Sequence, residues 1–79
     1  MNHLKPIIDT IATIQRRLSI PTTGMIGRKM GVSPDKVTYD VLALEIAGVC
    51  SRVGSNERPI YKLTEKGWSM VGGKPFWME

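Results

Sequence analysis

Residues 25–52 read MIGRKMGVSPDKVTYDVLALEIAGVCSR, and this stretch decides the fold. Gly31 follows the last apolar residue of a short helical pattern, Ser33 is a good N-cap, and Pro34 suits the first position of a second helix. The second helix repeats its apolar and small residues on one face, at Val37, Val41, Leu44 and Gly48. Two helices joined by so short a turn are predicted to form a helix-turn-helix.

Two more helical patterns precede the turn. Pro6 opens a first helix whose apolar residues share one face, at Ile7, Ile11, Ile14 and Leu18. Pro21 then ends this helical pattern, because the residue before a proline favours extended backbone. A threonine cap is predicted to start the first helix of the helix-turn-helix, over residues 23–30. In that helix Gly27 is a small residue where a neighbouring element can approach closely. Arg28 and Lys29 are expected to point outward.

A β-hairpin is predicted after the long helix. Residues 49–53 and 59–63 are strand candidates, and the loop between them is rich in turn formers. Three helices followed by a two-stranded hairpin predict an α+β fold, a small winged helix-turn-helix, over residues 1–70. Residues 71–79 would form a C-terminal tail, with Gly72 and Gly73 as a flexible joint.

Composition restricts the possible functions. The chain has 79 residues and a net charge of +4, which suggests one small domain with a polyanionic partner. One cysteine and one histidine exclude an internal disulfide and a zinc site of the usual ligands, and no catalytic constellation is evident. We therefore expect a non-enzyme without a cofactor. No apolar run approaches a membrane span, so a cytoplasmic location is expected.

Two sequence runs carry a family resemblance. IGRKMGVS, at residues 26–33, and YKLTEKG, at residues 61–67, resemble the winged helix-turn-helix of bacterial and phage transcription regulators, with the second run similar to MarR-like and PadR-like members. Within the long helix, the pattern of Tyr39, Leu42, Leu44-Glu45 and Ala47-Gly48 also resembles that of short regulators encoded in pilus operons.

The resemblance implies a regulator, repressor-type, that binds double-stranded DNA in a sequence-specific way. The N-terminal half of the helix from Ser33 would enter the major groove, while the hairpin would reach a flanking phosphate or the minor groove. The DNA-binding residues implied by the match, together with the basic pair beside the turn, are Arg28, Lys29, Ser33, Lys36, Thr38, Tyr39, Arg52, Arg58 and Lys62.

Acidic residues on the long helix depart from the family pattern. Asp35 and Asp40 stand where regulators commonly carry arginine, serine or threonine, and a carboxylate is repelled by phosphate. Asp40 can instead pair with Lys36 one helical turn earlier. The acidic helix therefore keeps open an alternative, a protein-binding winged helix that antagonises a host regulator, replication or polymerase component. A replication-initiation module is a third option.

The long helix also carries a second apolar line, formed by Tyr39, Leu42 and Ile46. Because a helix that is apolar all round is usually buried, we expect the hairpin or the tail to cover this line. The tail itself contains Phe76 and Trp77. Those aromatic residues and the Leu42/Ile46 face are the candidate surfaces for a homodimer.

Overall fold

The predicted architecture, three helices followed by a two-stranded hairpin, is confirmed. The structure is a computed structural model that describes residues 2–78. Its elements, in chain order, are a 3₁₀ turn at Asn2–Leu4, α1 (Lys5–Arg16), α2 (Thr23–Met30), α3 (Pro34–Ile46), β1 (Cys50–Gly54), β2 (Pro59–Leu63), α4 (Glu65–Ser69) and a 3₁₀ turn at Phe76–Met78.

The helix-turn-helix forms at the predicted residues because local capping fixes both helix starts. The Thr22 hydroxyl accepts a hydrogen bond from the Met25 amide at 3.1 Å, and the Ser33 hydroxyl accepts one from the Lys36 amide at 3.4 Å. Between the helices, Gly31 adopts a φ of 70°, the left-handed conformation that ends α2. The sequence therefore specifies the relative placement of α2 and α3 locally.

A single apolar core joins the three helices to the hairpin. Its members are the inward residues of each element, namely Leu4, Ile7, Ile8, Ile11, Ala12, Ile14, Ile26, Val37, Val41, Leu44, Val49, Cys50, Tyr61, Leu63 and Trp68. The prediction that Leu18 and Gly48 belong to the inward faces of the first and third helices was wrong. Leu18 lies beyond the end of α1 with a φ of 59° and is 78% exposed. Gly48 is also exposed, beyond the end of α3.

The hairpin is attached to the helices through the backbone of β2. The two strands pair antiparallel, with Arg52 opposite Tyr61 and Ser51 opposite Lys62. The Tyr61 amide donates to the Pro21 carbonyl at 2.9 Å, and the Leu63 amide donates to the side-chain oxygen of Gln15 at 2.9 Å. These bonds fix the hairpin against α1 and the link that follows it.

Helix α4 was not predicted from the sequence. It is only five residues long and has too few apolar positions to show a helical period. Its first turn is capped by the Thr64 hydroxyl, which accepts from the Gly67 amide at 3.2 Å. Trp68 on this helix is buried, as expected, and the Arg16 guanidinium lies 5.6 Å from its ring centroid.

The described part of the tail, as far as Met78, folds back onto the domain. The Gly73 amide donates to the Trp68 carbonyl at 2.7 Å, so the predicted joint forms a hydrogen-bonded turn. Met78 packs against the core, whereas Phe76 is exposed. A boundary between a domain and a tail at residue 70 stays a prediction. Within residues 2–78, no helix has the length and apolar character needed to cross a membrane.

Candidate nucleic-acid interface

The outward face of α3, the second helix of the helix-turn-helix, is the first part of the candidate interface. Val37, Val41 and Leu44 face the core, and helical geometry then directs Asp35, Tyr39 and the residues in line with them to the opposite side. The exposure of Asp35, Lys36 and Tyr39 agrees with the prediction that these side chains point outward. The helix therefore offers one continuous accessible face.

That face is mainly apolar. Tyr39 is 80% exposed, Leu42 53% and Ile46 81%, so the expectation that the hairpin or the tail covers this line was wrong. The reason is topological. The hairpin is hydrogen-bonded to α1 and to the link that follows α1, and the Gly73 amide of the tail is hydrogen-bonded to the Trp68 carbonyl. Neither element therefore reaches the outer side of α3.

Two of the charged residues of α3 form an ion pair, and a third is exposed at the start of the helix. The Lys36 ammonium lies 3.5 Å from the Asp40 carboxylate, and the Asp40 side chain is largely shielded from solvent. Asp40 is therefore a partner for Lys36 and lies to the side of the outward face. Asp35 is exposed in the first turn, where its charge favours the helix dipole.

Two hydroxyl groups predicted to contact DNA are already used within the helix. The Thr38 hydroxyl donates to the Pro34 carbonyl at 2.9 Å, which leaves it only acceptor capacity toward a ligand. Ser33 uses an acceptor lone pair for its capping bond, so its hydroxyl proton remains available. Of the two, Ser33 is better suited to donate to a phosphate.

Exposed basic side chains occur on α2 and on the hairpin, the elements that precede and follow α3 in the chain. Arg28 and Lys29 are exposed in the last turn of α2, immediately before the turn that leads into α3. Arg58 is exposed at the hairpin tip, beside a cleft of about 350 Å³ that Thr22, Thr23 and Glu57 also line. The start of α2 and the hairpin tip are therefore neighbours.

The hairpin separates two residues that the sequence grouped together. Directly paired residues of antiparallel strands share a face, so Arg52 lies on the face of the buried Tyr61. Lys62 lies on the other face, where it lines a cavity of about 370 Å³ together with Ile60 and Trp77. One surface of the hairpin therefore cannot present both cations.

The Arg52 face of the hairpin lies against α3, because Cys50, two residues earlier on the same strand face, donates its thiol to the Val41 carbonyl at 3.7 Å. Burial raises the pKa of the Tyr61 phenol on this face, the charge of Arg52 opposes that rise, and the charge of Glu45 on α3 adds to it. The two charges therefore have opposite effects on the pKa of the same phenol. Arg52 belongs with α3, and Lys62 belongs with the cavity near the tail.

The homodimer surfaces predicted from the sequence lie on different elements. The cavity beside Trp77 is lined by α1, the α1–α2 link, β2 and the tail, and its apolar members include Leu18 and Ile20. Leu42 and Ile46 lie on the outer face of α3. The structure does not bring these two sets together.

One structurally important residue was missed by the sequence reasoning. Gln15 is buried on α1 and holds the Leu63 amide, which sets the position of the hairpin. A glutamine between the apolar Ile14 and the basic Arg16 gave no signal in the periodicity, because it lies on the flank of the apolar face. Among residues 2–78 no cluster of three or more metal-binding side chains occurs.

Comparison with known proteins gives a structural neighbour. No protein-family model and no curated protein matches the chain. The crystal structure of the transcriptional regulator PA4135 matches it with a TM-score of 0.66 and 19% sequence identity, over 89% of this chain and 54% of that chain. The chain thus spans about half the length of that regulator. At this identity the likeness shows the fold alone, and it is the winged-helix fold, without singling out MarR-like or PadR-like members.

Proposed function

We propose that this protein binds double-stranded DNA and regulates transcription, as a repressor-type regulator of bacterial, phage or plasmid origin. The observation that carries the proposal is the exposed outward face of α3, in a fold whose α2 and hairpin also carry exposed cations. Bound at a promoter, it would act by excluding other proteins from that DNA. A cytoplasmic location follows from the proposed partner.

Affinity in this proposal comes from phosphate contacts around α3. Arg28 and Lys29 would contact one phosphate run and Arg52 another, while Arg58, which lies with Ile60 at the hairpin tip, would reach a flanking phosphate. Ser33, Lys36, Thr38 and Tyr39 would lie between them, at or near the base edges. Lys62 was also expected to bind DNA, but its place on the other hairpin face argues for a smaller contribution.

Salt dependence tests the proposal most directly. Four phosphate contacts predict a slope of about −3.6 in a plot of log K against log salt, so affinity for a random-sequence duplex should fall about a hundredfold between roughly 50 and 200 mM salt. Fluorescence anisotropy with a labelled duplex measures this. Absence of binding at the lower salt concentration would refute the proposal.

Single charge removals locate the surface. Arg58→Ala should weaken binding to all sequences and reduce the salt slope by about one unit. Lys5→Ala is the matched control, because it removes the same charge from an exposed residue of α1 that is paired with Asp9 at 2.7 Å. Equal effects of the two substitutions would show that net charge alone, and no defined surface, drives binding.

The hairpin offers a second matched pair. Arg52→Ala should weaken duplex binding more than Lys62→Ala, because the two side chains lie on opposite faces and the Arg52 face contacts α3 through Cys50 and Val41. The larger loss in Lys62→Ala would mean that DNA approaches the cavity beside Trp77. That result would move the proposed interface away from α3.

We further propose that the DNA-bound form is a homodimer, because a single module of this kind buries only roughly 600–1,000 Å² of its surface on DNA. The exposed Phe76 and the half-exposed Trp77 are candidate contacts for this dimer. Sedimentation with and without duplex tests it, with Phe76→Ala as the variant. A one-to-one complex on every duplex would contradict the dimer and leave DNA binding intact.

A protein-binding winged helix is the second candidate function. It is favoured by the exposed Tyr39, Leu42 and Ile46 on a helix that also exposes Asp35. Its partner would be a host regulator, replication or polymerase component. Retention of one such protein by immobilised wild-type chain, lost in Leu42→Ala, together with no duplex binding at low salt, would favour this candidate.

A further inference from the structure

We infer that α3 reads the C5-methyl groups of thymine, with Leu42 and the ring of Tyr39 as the specificity-determining side chains. This inference rests on the DNA binding proposed above and names the bases that the surface selects. It follows from the chemistry of the side chains that α3 exposes and from the positions of those side chains along the helix axis.

The side chains of α3 offer few of the commonest base contacts. Guanine is usually read by arginine or lysine and adenine by asparagine or glutamine, and of these residues α3 contains only Lys36. Its one cation, Lys36, lies at the flank of the outward face and is held by Asp40 at 3.5 Å. Direct readout of guanine would therefore require this ion pair to open.

The exposed groups that remain match other features of the major groove. Leu42 and the Tyr39 ring are apolar and accessible, and the apolar feature of the groove is the thymine methyl group. Asp35 is an acceptor at the helix start, and it can accept from the amino group of cytosine. An apolar outward face with one acceptor is therefore complementary to thymine-containing sites.

Position along the helix decides which residues reach the bases. A recognition helix contacts the bases from its N-terminal part, and Tyr39 and Leu42 lie nearer that end of α3 than Ile46 does. Ile46 is the last residue of α3, about 6 Å beyond Leu42 along the axis. Ile46 is as exposed as Tyr39, so it provides a control on the same face of the helix.

The experiment compares thymine with uracil, which differ only in the C5-methyl group. A duplex is first selected from a random pool with the wild-type chain, and its thymines are then replaced by deoxyuridine. We expect the selected duplex to be rich in A·T pairs, and wild-type affinity to fall about fourfold for each contacted methyl group. Leu42→Ala should bind the thymine duplex more weakly and lose most of this discrimination.

Ile46→Ala separates side-chain contact from changes in the DNA itself. Removing methyl groups also alters the shape of the duplex, and that effect would be the same in wild type and Ile46→Ala. The inference requires that Ile46→Ala keep the wild-type ratio of thymine to uracil affinity while Leu42→Ala does not. Equal ratios in all three proteins would overturn it.

The remaining outcomes are also decisive. Salt-dependent duplex binding with equal affinity for thymine and uracil would overturn methyl reading and leave the proposed function standing. No duplex binding at low salt would overturn both. If Leu42→Ala and Ile46→Ala each convert a dimer of the free chain into a monomer, the apolar face is covered by a second copy, and methyl reading is wrong.

Discussion

Gly27 is the residue at which the helix-turn-helix tolerates least change. A Cβ atom added there would lie 2.7 Å from the carbonyl oxygen of Val32 and 3.5 Å from a methyl group of Val37. The oxygen belongs to the backbone of the turn, so it cannot move away by a change of rotamer. Gly27→Ala must therefore displace the turn relative to α2.

The free-energy change is a balance of two terms. Forcing an extra methyl group into a packed site costs about 1–3 kcal/mol, while alanine is better than glycine inside a helix by about 0.5–1 kcal/mol. Because the closest atom is part of the backbone, we expect the upper part of the first range. Gly27→Ala should lower the free energy of unfolding by about 1–2 kcal/mol.

Gly24 provides the matched control in the same helix. It is exposed, and the nearest atom to an added Cβ is the Thr22 hydroxyl oxygen at 4.0 Å. Gly24→Ala should therefore raise the free energy of unfolding by a few tenths to about 1 kcal/mol. The same chemical substitution is thus expected to have opposite signs at two positions of α2.

Urea unfolding followed by circular dichroism measures both variants. Each kcal/mol should also shift the melting temperature by about 4–8 °C in a domain of this size. If Gly27→Ala were as stable as Gly24→Ala, the close approach between α2 and the turn would be refuted, and with it the packing described for the helix-turn-helix.

Three other predictions concern stability. Gln15→Met should lower the free energy of unfolding by about 1–3 kcal/mol, because the buried Leu63 amide loses its acceptor, and a neutral result in urea unfolding would show that the bond is replaced. Leu18→Gly should raise it by about 0.5–1 kcal/mol, since glycine adopts positive φ without strain; a loss in the same assay would reveal packing by the leucine side chain. Burial, with a smaller effect of the Glu45 charge, raises the pKa of the Cys50 thiol from 9.0 to about 11. The unfolded chain then loses its proton first, so stability should fall by about 2 kcal/mol between pH 9 and pH 11. Urea midpoints across this range should fall less steeply in Cys50→Ala, and parallel profiles would contradict the assignment.

The parts of the fold that depend on local chemistry could be predicted from the sequence. The threonine and serine caps, the left-handed Gly31 and the turn formers between the strands act over a few residues, and each element appears where they place it. Leu18 continues the apolar period but lies past the helix end, so periodicity alone assigned it to the core.

The candidate site was harder to predict, because it depends on contacts between distant residues. Outward positions on α3 follow from helical geometry, and these were predicted. Whether another element covers Leu42 and Ile46 depends on where the hairpin and tail are attached, which the buried Gln15 and the Trp68 carbonyl determine. The separation of Arg52 from Lys62 likewise depends on strand register, which the sequence left open.

The attachment of β2 has a consequence for dynamics. Its Tyr61 and Leu63 amides are bonded to Pro21 and Gln15 while the strand also pairs with β1, so the base of the hairpin is held on both sides. Amide hydrogens there should exchange only through global unfolding, whereas residues 55–58 exchange through local fraying. The direction of the hairpin is therefore set before any ligand binds, and the ordering entropy that binding would cost is confined to the tip that carries Arg58.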